Sequence, residues 1–163
     1  MDPVTSEMIR AAFVNGTKGE AKRLRLPSLE SVPWADLDFF GWRDPQSTSA
    51  GGLVLWRSGE PLSIMLQATS RPASAKQGMC SFCHTFHTSS DVAFMGAKLA
   101  GAKGRAGNTV AAAMCGDLAC SLYARKLRQP SRVQPQETID IDARVARLIV
   151  NLDAFVDKVT EGR

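Results

Sequence analysis

All four cysteines of this sequence fall between Cys80 and Cys120, as Cys80-Ser-Phe-Cys83, an insert of 31 residues, and Cys115-Gly-Asp-Leu-Ala-Cys120. Two cysteines separated by two residues aim both sulfurs at one point across a tight turn. A second pair opening a helix completes a tetrahedron of soft thiolates, the donor set of a structural zinc ion, and no cysteine is left over. Two disulfides, a redox-active Cys-x-x-Cys and unrelated core cysteines are the competing readings. A disulfide framework suits poorly a chain long enough for an ordinary core, and a redox motif would follow a strand in a βαβ unit, which is not found around Cys80. His84 and His87 are the only histidines. Either could replace a cysteine, but four thiolates already close a tetrahedron, so both are expected beside the site or on the surface.

Those cysteines need elements to carry them. Asp91 to Lys98 and Thr109 to Met114 are expected as two strands of a hairpin, joined by the small, cationic tip Leu99-Ala-Gly-Ala-Lys-Gly-Arg-Ala-Gly-Asn108. The tip is not a phosphate-binding G-x-x-x-x-G-K-[ST] loop, because no Gly-Lys-Ser/Thr follows. Asp117 is expected to cap a helix over Leu118 to Leu127, bringing Cys120 near its first turn. Beyond a linker bounded by Pro130 and Pro135, Ile141, Val145, Leu148, Ile149, Leu152, Phe155, Val156 and Val159 recur at helical spacing. They predict a long amphipathic helix that packs back on the domain.

Before the cysteines, Thr5 to Phe13 predicts a short helix, and Lys18 to Arg25 a basic connector. Trp34 to Trp42 is an aromatic cluster that belongs in a core. Leu53 to Arg57, the turn Ser58-Gly-Glu-Pro61 and Leu62 to Ala68 predict a β-hairpin, followed by a connector over Ser70 to Gln77. The fold class expected is α+β: a zinc finger of knuckle, hairpin and helix, joined to an antiparallel hairpin and packed by the C-terminal helix. Its parts would be 1–76, 77–129 and 130–163, in one compact unit.

At 163 residues with 44% hydrophobic content, the chain can bury a real core. No apolar run approaches the roughly 20 residues of a membrane span, and Met1 to Phe13 lacks the character of a secretory leader, so a cytoplasmic monomer is expected. The net charge of +4 is unevenly spread: residues 92 to 136 carry seven bases and one acid, Asp117. Such an excess seeks anions, either RNA phosphate or an acidic protein face.

Cys80-Ser-Phe-Cys-His-Thr85, Phe94 to Thr109 and Cys115-Gly-Asp-Leu-Ala-Cys-Ser-Leu-Tyr-Ala-Arg125 resemble the treble-clef zinc finger of elongation factor G-binding proteins, the FusB type associated with fusidic acid resistance. The resemblance is specific over residues 80 to 126. It implies one zinc ion on Cys80, Cys83, Cys115 and Cys120, and a module that grips elongation factor G and helps release it from the ribosome. It implies no catalysis. The amino-terminal region here is shorter than the helical domain of the resistance proteins, which favours factor binding over drug rescue. On this reading Lys98, Lys103, Arg105, Arg125 and Lys126 steer an acidic partner, with Phe94 and Tyr123 as aromatic anchors. The alternative is a zinc finger that binds RNA or the ribosome through the same bases. A zinc hydrolase is disfavoured because four cysteines leave no open coordination position.

Overall fold

Leu53-Val-Leu55 is apolar at three successive positions, a pattern suited to a strand covered on at least one face. The computed structural model, which describes residues 1–70 and 78–161, bears this out. Five antiparallel strands run in sequence order across one sheet: β1 (Phe40–Asp44), β2 (Ser47–Arg57), β3 (Glu60–Ala68), β4 (Val92–Lys98) and β5 (Thr109–Cys115). Leu53, Leu55, Ile64 and Leu66 join the core beneath the C-terminal helix, while Val54, Phe40 and Trp42 join a second core with Val4, Ile9, Leu24 and Leu37. Side chains alternate across the sheet, so an all-apolar run serves both cores at once.

Helix α1 (Ser6–Ala11) is capped by Thr5, and α2 (Lys18–Arg23) by a reciprocal Thr17–Glu20 capping box. The stretch expected as a basic connector is therefore helical, because Thr-x-x-Glu satisfies the first free N–H groups of a helix whatever charge its later residues carry. Arg10 hydrogen-bonds the carbonyls of Ala21, Lys22 and Leu24, which ties α1 to the end of α2. Strand β1 was also not expected. It arises within the aromatic cluster, where Phe40 and Trp42 stack at 5.6 Å. Gly52 has no side chain because a Cβ there would lie 2.5 Å from the Trp42 ring.

The two hairpins touch along a short seam, with only Gln67 and Ala68 of β3 pairing with Gly96 and Met95 of β4. Further back along β3, the chain leaving α1 occupies the strand edge: Ser63 N–H donates to Ala12 O, and Val14 N–H to Ser63 O, both at 3.0 Å. The buried Asn15 sits at the fork. Its amide donates to Met65 O and Lys98 O, at 3.0 and 3.1 Å, and its carbonyl accepts from Met65 N–H at 2.8 Å.

The hairpin tip is not open. It contains the one-turn helix α3 (Gly101–Arg105), where a Cβ on Gly104 would fall 1.7 Å from Leu99 O. Helix α4 (Cys120–Ala124) is shorter than the expected Leu118 to Leu127, and its cap position, Ala119, offers no side-chain bond. Lys126, at φ +59°, ends it in the left-handed region. Helix α5 (Ile141–Thr160), capped by Asp140, buries Leu148, Leu152, Phe155, Val156 and Val159. Most of the connector expected over Ser70 to Gln77 lies outside the described residues. No helix among the described residues is long and apolar enough to cross a membrane.

Candidate metal centre

The loop from Cys80 to Thr85 closes on itself: Cys80 N–H donates to Thr85 O at 3.0 Å and His84 N–H to Cys80 O at 3.1 Å, with His84 at φ +59°. Ser81 N–H, bonded to Ala113 O at 2.7 Å, fastens this knuckle to β5. Cys115 is the last residue of β5 and Cys120 the first of α4. Between them, Leu118 N–H donates to Cys115 O at 2.9 Å, and Asp117 accepts from Ala119 N–H at 3.1 Å. Asp117 thus holds the turn before α4 rather than capping the helix itself.

The four sulfurs are fully buried and lie within 4.8 Å of one another. Cys80 Sγ is 3.6 Å from Cys120 Sγ, and Cys83 Sγ 3.5 Å from Cys115 Sγ. Zinc–sulfur bonds of about 2.3 Å in a tetrahedron set the sulfurs about 3.8 Å apart, so the donor set fits. All four cysteines are free thiols rather than disulfides. Hydrogen bonds from Cys115, Cys120 and Cys80 push the Cys83 thiol well below its ordinary pKa. Cys120 is pushed well above by the same kind of contact with Cys115, Cys80 and Cys83, and then by burial. Without a cation the cluster cannot ionise together. A zinc ion supplies the positive charge that lets four buried thiolates coexist.

Neighbouring polar groups serve the sulfurs. Phe82 N–H points at Cys80 Sγ (3.4 Å), Thr85 Oγ1 lies 3.2 Å from Cys83 Sγ, and His87 Nε2 lies 3.2 Å from Cys115 Sγ. His87 is buried, its ring edge-on to Tyr123 at 4.8 Å. Among the described residues, the group that could hold a metal consists of the four cysteines, without either histidine. His84 Nε2 lies 3.3 Å from the Asn151 amide on α5. Thr85 was not foreseen, since a lone threonine beside a cysteine carries no spacing signal.

The residues expected to face a partner do not share one surface. Arg125 makes a two-pronged ion pair with Asp38, at 2.6 and 2.9 Å, which raises its pKa. The Tyr123 hydroxyl donates to Asp117 at 3.0 Å, and burial followed by the Asp117 charge pushes its pKa up. Lys98 is paired with Glu20 at 3.1 Å. Phe94 is half-buried, on the face of β4 opposite Met95. Lys103, Arg105 and Lys126 are exposed. The tip and α4 also sit at different ends of α5: Ala100 N–H bonds Val159 O, whereas Tyr123 O accepts from Arg144. Fifteen helical residues separate those anchors by about 22 Å.

Beside α4 lies a cleft of about 730 Å³ lined by Tyr123, Lys126, Arg128, Arg132, Val133 and Arg144 among others. Leu127 and Val133, at 59% and 91% exposure, are apolar side chains held out to solvent next to these bases. Neither was singled out from the sequence. A lone valine between Arg132 and Gln134 in a proline-bounded linker was the only signal available.

A family model described as FBP C-terminal treble-clef zinc-finger matches residues 8–159. No curated protein and no solved structure matches the chain significantly. Cys80, Cys83, Cys115 and Cys120 form the zinc site. Nearly the whole chain, not the finger alone, is covered by the match, and the protein belongs to the FBP C-terminal treble-clef zinc-finger family.

Proposed function

We propose that this protein is a non-enzymatic zinc module that binds translation elongation factor G in the cytoplasm and promotes its release from the ribosome, with residues 1–76, 77–129 and 130–163 acting as one monomeric unit. Family membership supports a binding role. The observation that carries the partner class is the cleft beside α4, where the exposed Val133 stands among Lys126, Arg128 and Arg132, with the exposed Leu127 between two of these bases in the chain. Protein interfaces combine an apolar anchor with a charged rim in this way, and the zinc site fixes α4, from which that surface extends. Lys126 and Tyr123 line this surface, and Arg125, paired with Asp38, fastens α4 to the segment before β1. Phe94, Lys98, Lys103 and Arg105 lie outside it.

Calorimetric titration of elongation factor G into the zinc-loaded protein tests the reading. A one-to-one complex is expected, and Leu127→Asp combined with Val133→Asp should weaken it at least tenfold with zinc content unchanged. Absence of any complex with the wild-type protein would remove the proposal.

A further inference from the structure

We infer that α2 and α3 together form a second surface, one that binds the phosphate backbone of duplex RNA and is separate from the cleft beside α4. In the sequence the basic stretch after Lys18 and the glycine-rich tip around Lys103 are far apart. The structure brings them together through the Lys98–Glu20 ion pair. Two adjoining clefts share that pair: one of about 310 Å³ lined in part by Glu20, Arg23 and Lys98, the other of about 260 Å³ lined in part by Thr17, Glu20, Lys98 and Arg105. Lys18, Lys22, Arg23, Lys98, Lys103 and Arg105 are all exposed. The acids lining these clefts are already engaged, Glu20 by Lys98 and Thr17, and Asp44 by the N–H groups of Arg25 and Gln46.

Leu24 and Leu66, which also line the first cleft, are buried and Met65 is half-buried, so what an approaching partner meets is set by the side chains that protrude. The large apolar side chains exposed among the described residues are Leu127, Val133, Ile139, Ile141, Ile149 and Val150, and none lies on α2 or α3. A protein interface needs an apolar centre, whereas a nucleic acid backbone is held by Lys and Arg charge and polar N–H groups. No aromatic side chain lies on α2 or α3, so stacking on single-stranded bases has no platform. The tip is built from Ala100, Gly101, Ala102, Gly104, Ala106 and Gly107 around its two bases. A rigid duplex can approach such low relief closely. This surface does not depend on the factor-binding reading, and either can fail without the other.

The test is fluorescence anisotropy with a labelled 20-base-pair RNA duplex and the full zinc-loaded chain, from 50 to 200 mM KCl. Four to six phosphate contacts predict a log–log salt slope of about −3.5 to −5.5, a fall of about 100- to 2,000-fold over that range. The variant Lys22→Glu/Arg23→Glu/Lys103→Glu/Arg105→Glu, which leaves the Lys98–Glu20 pair in place, should weaken RNA binding more than 30-fold and flatten the slope. Lys126→Glu/Arg132→Glu should change it less than threefold. If charge reversal impairs folding, judged by zinc content and thermal melting, Lys103→Gln/Arg105→Gln should still flatten the slope by about 2. Three results would each overturn the inference: no RNA binding by the wild-type chain, equal losses from the two charge-reversal sets, or loss of elongation factor G binding in the α2–α3 variant with RNA binding intact.

Discussion

The β2–β3 hairpin carries Leu53, Val54, Leu55, Ile64 and Leu66 into the interior, each at 4% exposure or less. The β4–β5 hairpin beside it offers Ala93, Gly96, Ala97, Ala111, Ala112 and Ala113, with Met95 and Met114 as its large fully buried side chains. Burying a Leu or Ile contributes about 1.5–3 kcal/mol, and an alanine methyl about 0.8 kcal/mol or less. The second hairpin buries less aliphatic bulk than the first, and it is the one tied to the metal centre, by Cys115 at the end of β5 and by the Cys80–Thr85 knuckle bonded to Ala113. Both hairpins feed one core, but the first contributes most of its aliphatic bulk, so the second is expected to lean more heavily on metal coordination. The short seam at Gln67 and Ala68 lets that difference persist within a single sheet.

Metal removal should expose this difference most strongly. Zinc binding by finger peptides reaches about 10–16 kcal/mol in apparent terms, as large as the whole stability of an ordinary domain at about 5–15 kcal/mol. Chelation, or Cys83→Ser, should therefore expose the amides of β4, β5 and α4 to hydrogen exchange by several orders of magnitude. Amides at Leu53 to Leu55 and Ile64 should retain most of their protection. Uniform loss along the chain would show that the two hairpins share one source of stability after all.

Leu53→Ala is the reciprocal perturbation. Leu53 is fully buried, so the cavity and lost transfer energy should cost about 2–5 kcal/mol in a denaturant melt. Zinc content should stay at one ion per chain, because no sulfur ligand rests on that residue alone. A variant purified without zinc would mean that the metal site depends on the first hairpin more closely than its geometry implies.

The same contrast explains what was legible in the sequence. The metal centre could be read directly, because thiolate chemistry is written in the spacing of Cys80, Cys83, Cys115 and Cys120 and needs no knowledge of distant contacts. The β2–β3 hairpin and α5 could be read because their apolar periodicity matches their geometry. Strand β1 could not, since its aromatic residues announce burial but not conformation. The partner surface could not either: the Arg125–Asp38 pair spans 87 positions and the Lys98–Glu20 pair 78, and local charge composition cannot say which bases are internally paired. Helix α2 was obscured by Lys18, Lys22 and Arg23, although Thr17-x-x-Glu20 was there to be used.

Glu20 links the two halves most delicately, and its effect should be the smallest. Its carboxylate accepts the Thr17 backbone N–H and then pairs with Lys98, which holds its pKa down to about 2 from the usual 4.5. A carboxyl lowered on folding adds stability above its unfolded value, and that stability is lost as pH falls from about 4.5 through about 2. Over this window α2 should fray at its first turn and the contact to β4 should loosen. With the side chain 32% exposed, solvent screening keeps the contribution modest. An NMR titration of the Glu20 side-chain carboxyl should show a midpoint near 2. A midpoint at the ordinary carboxylate value would mean that neither the capping box nor Lys98 holds it, and that α2 is not tied to β4 through this ion pair.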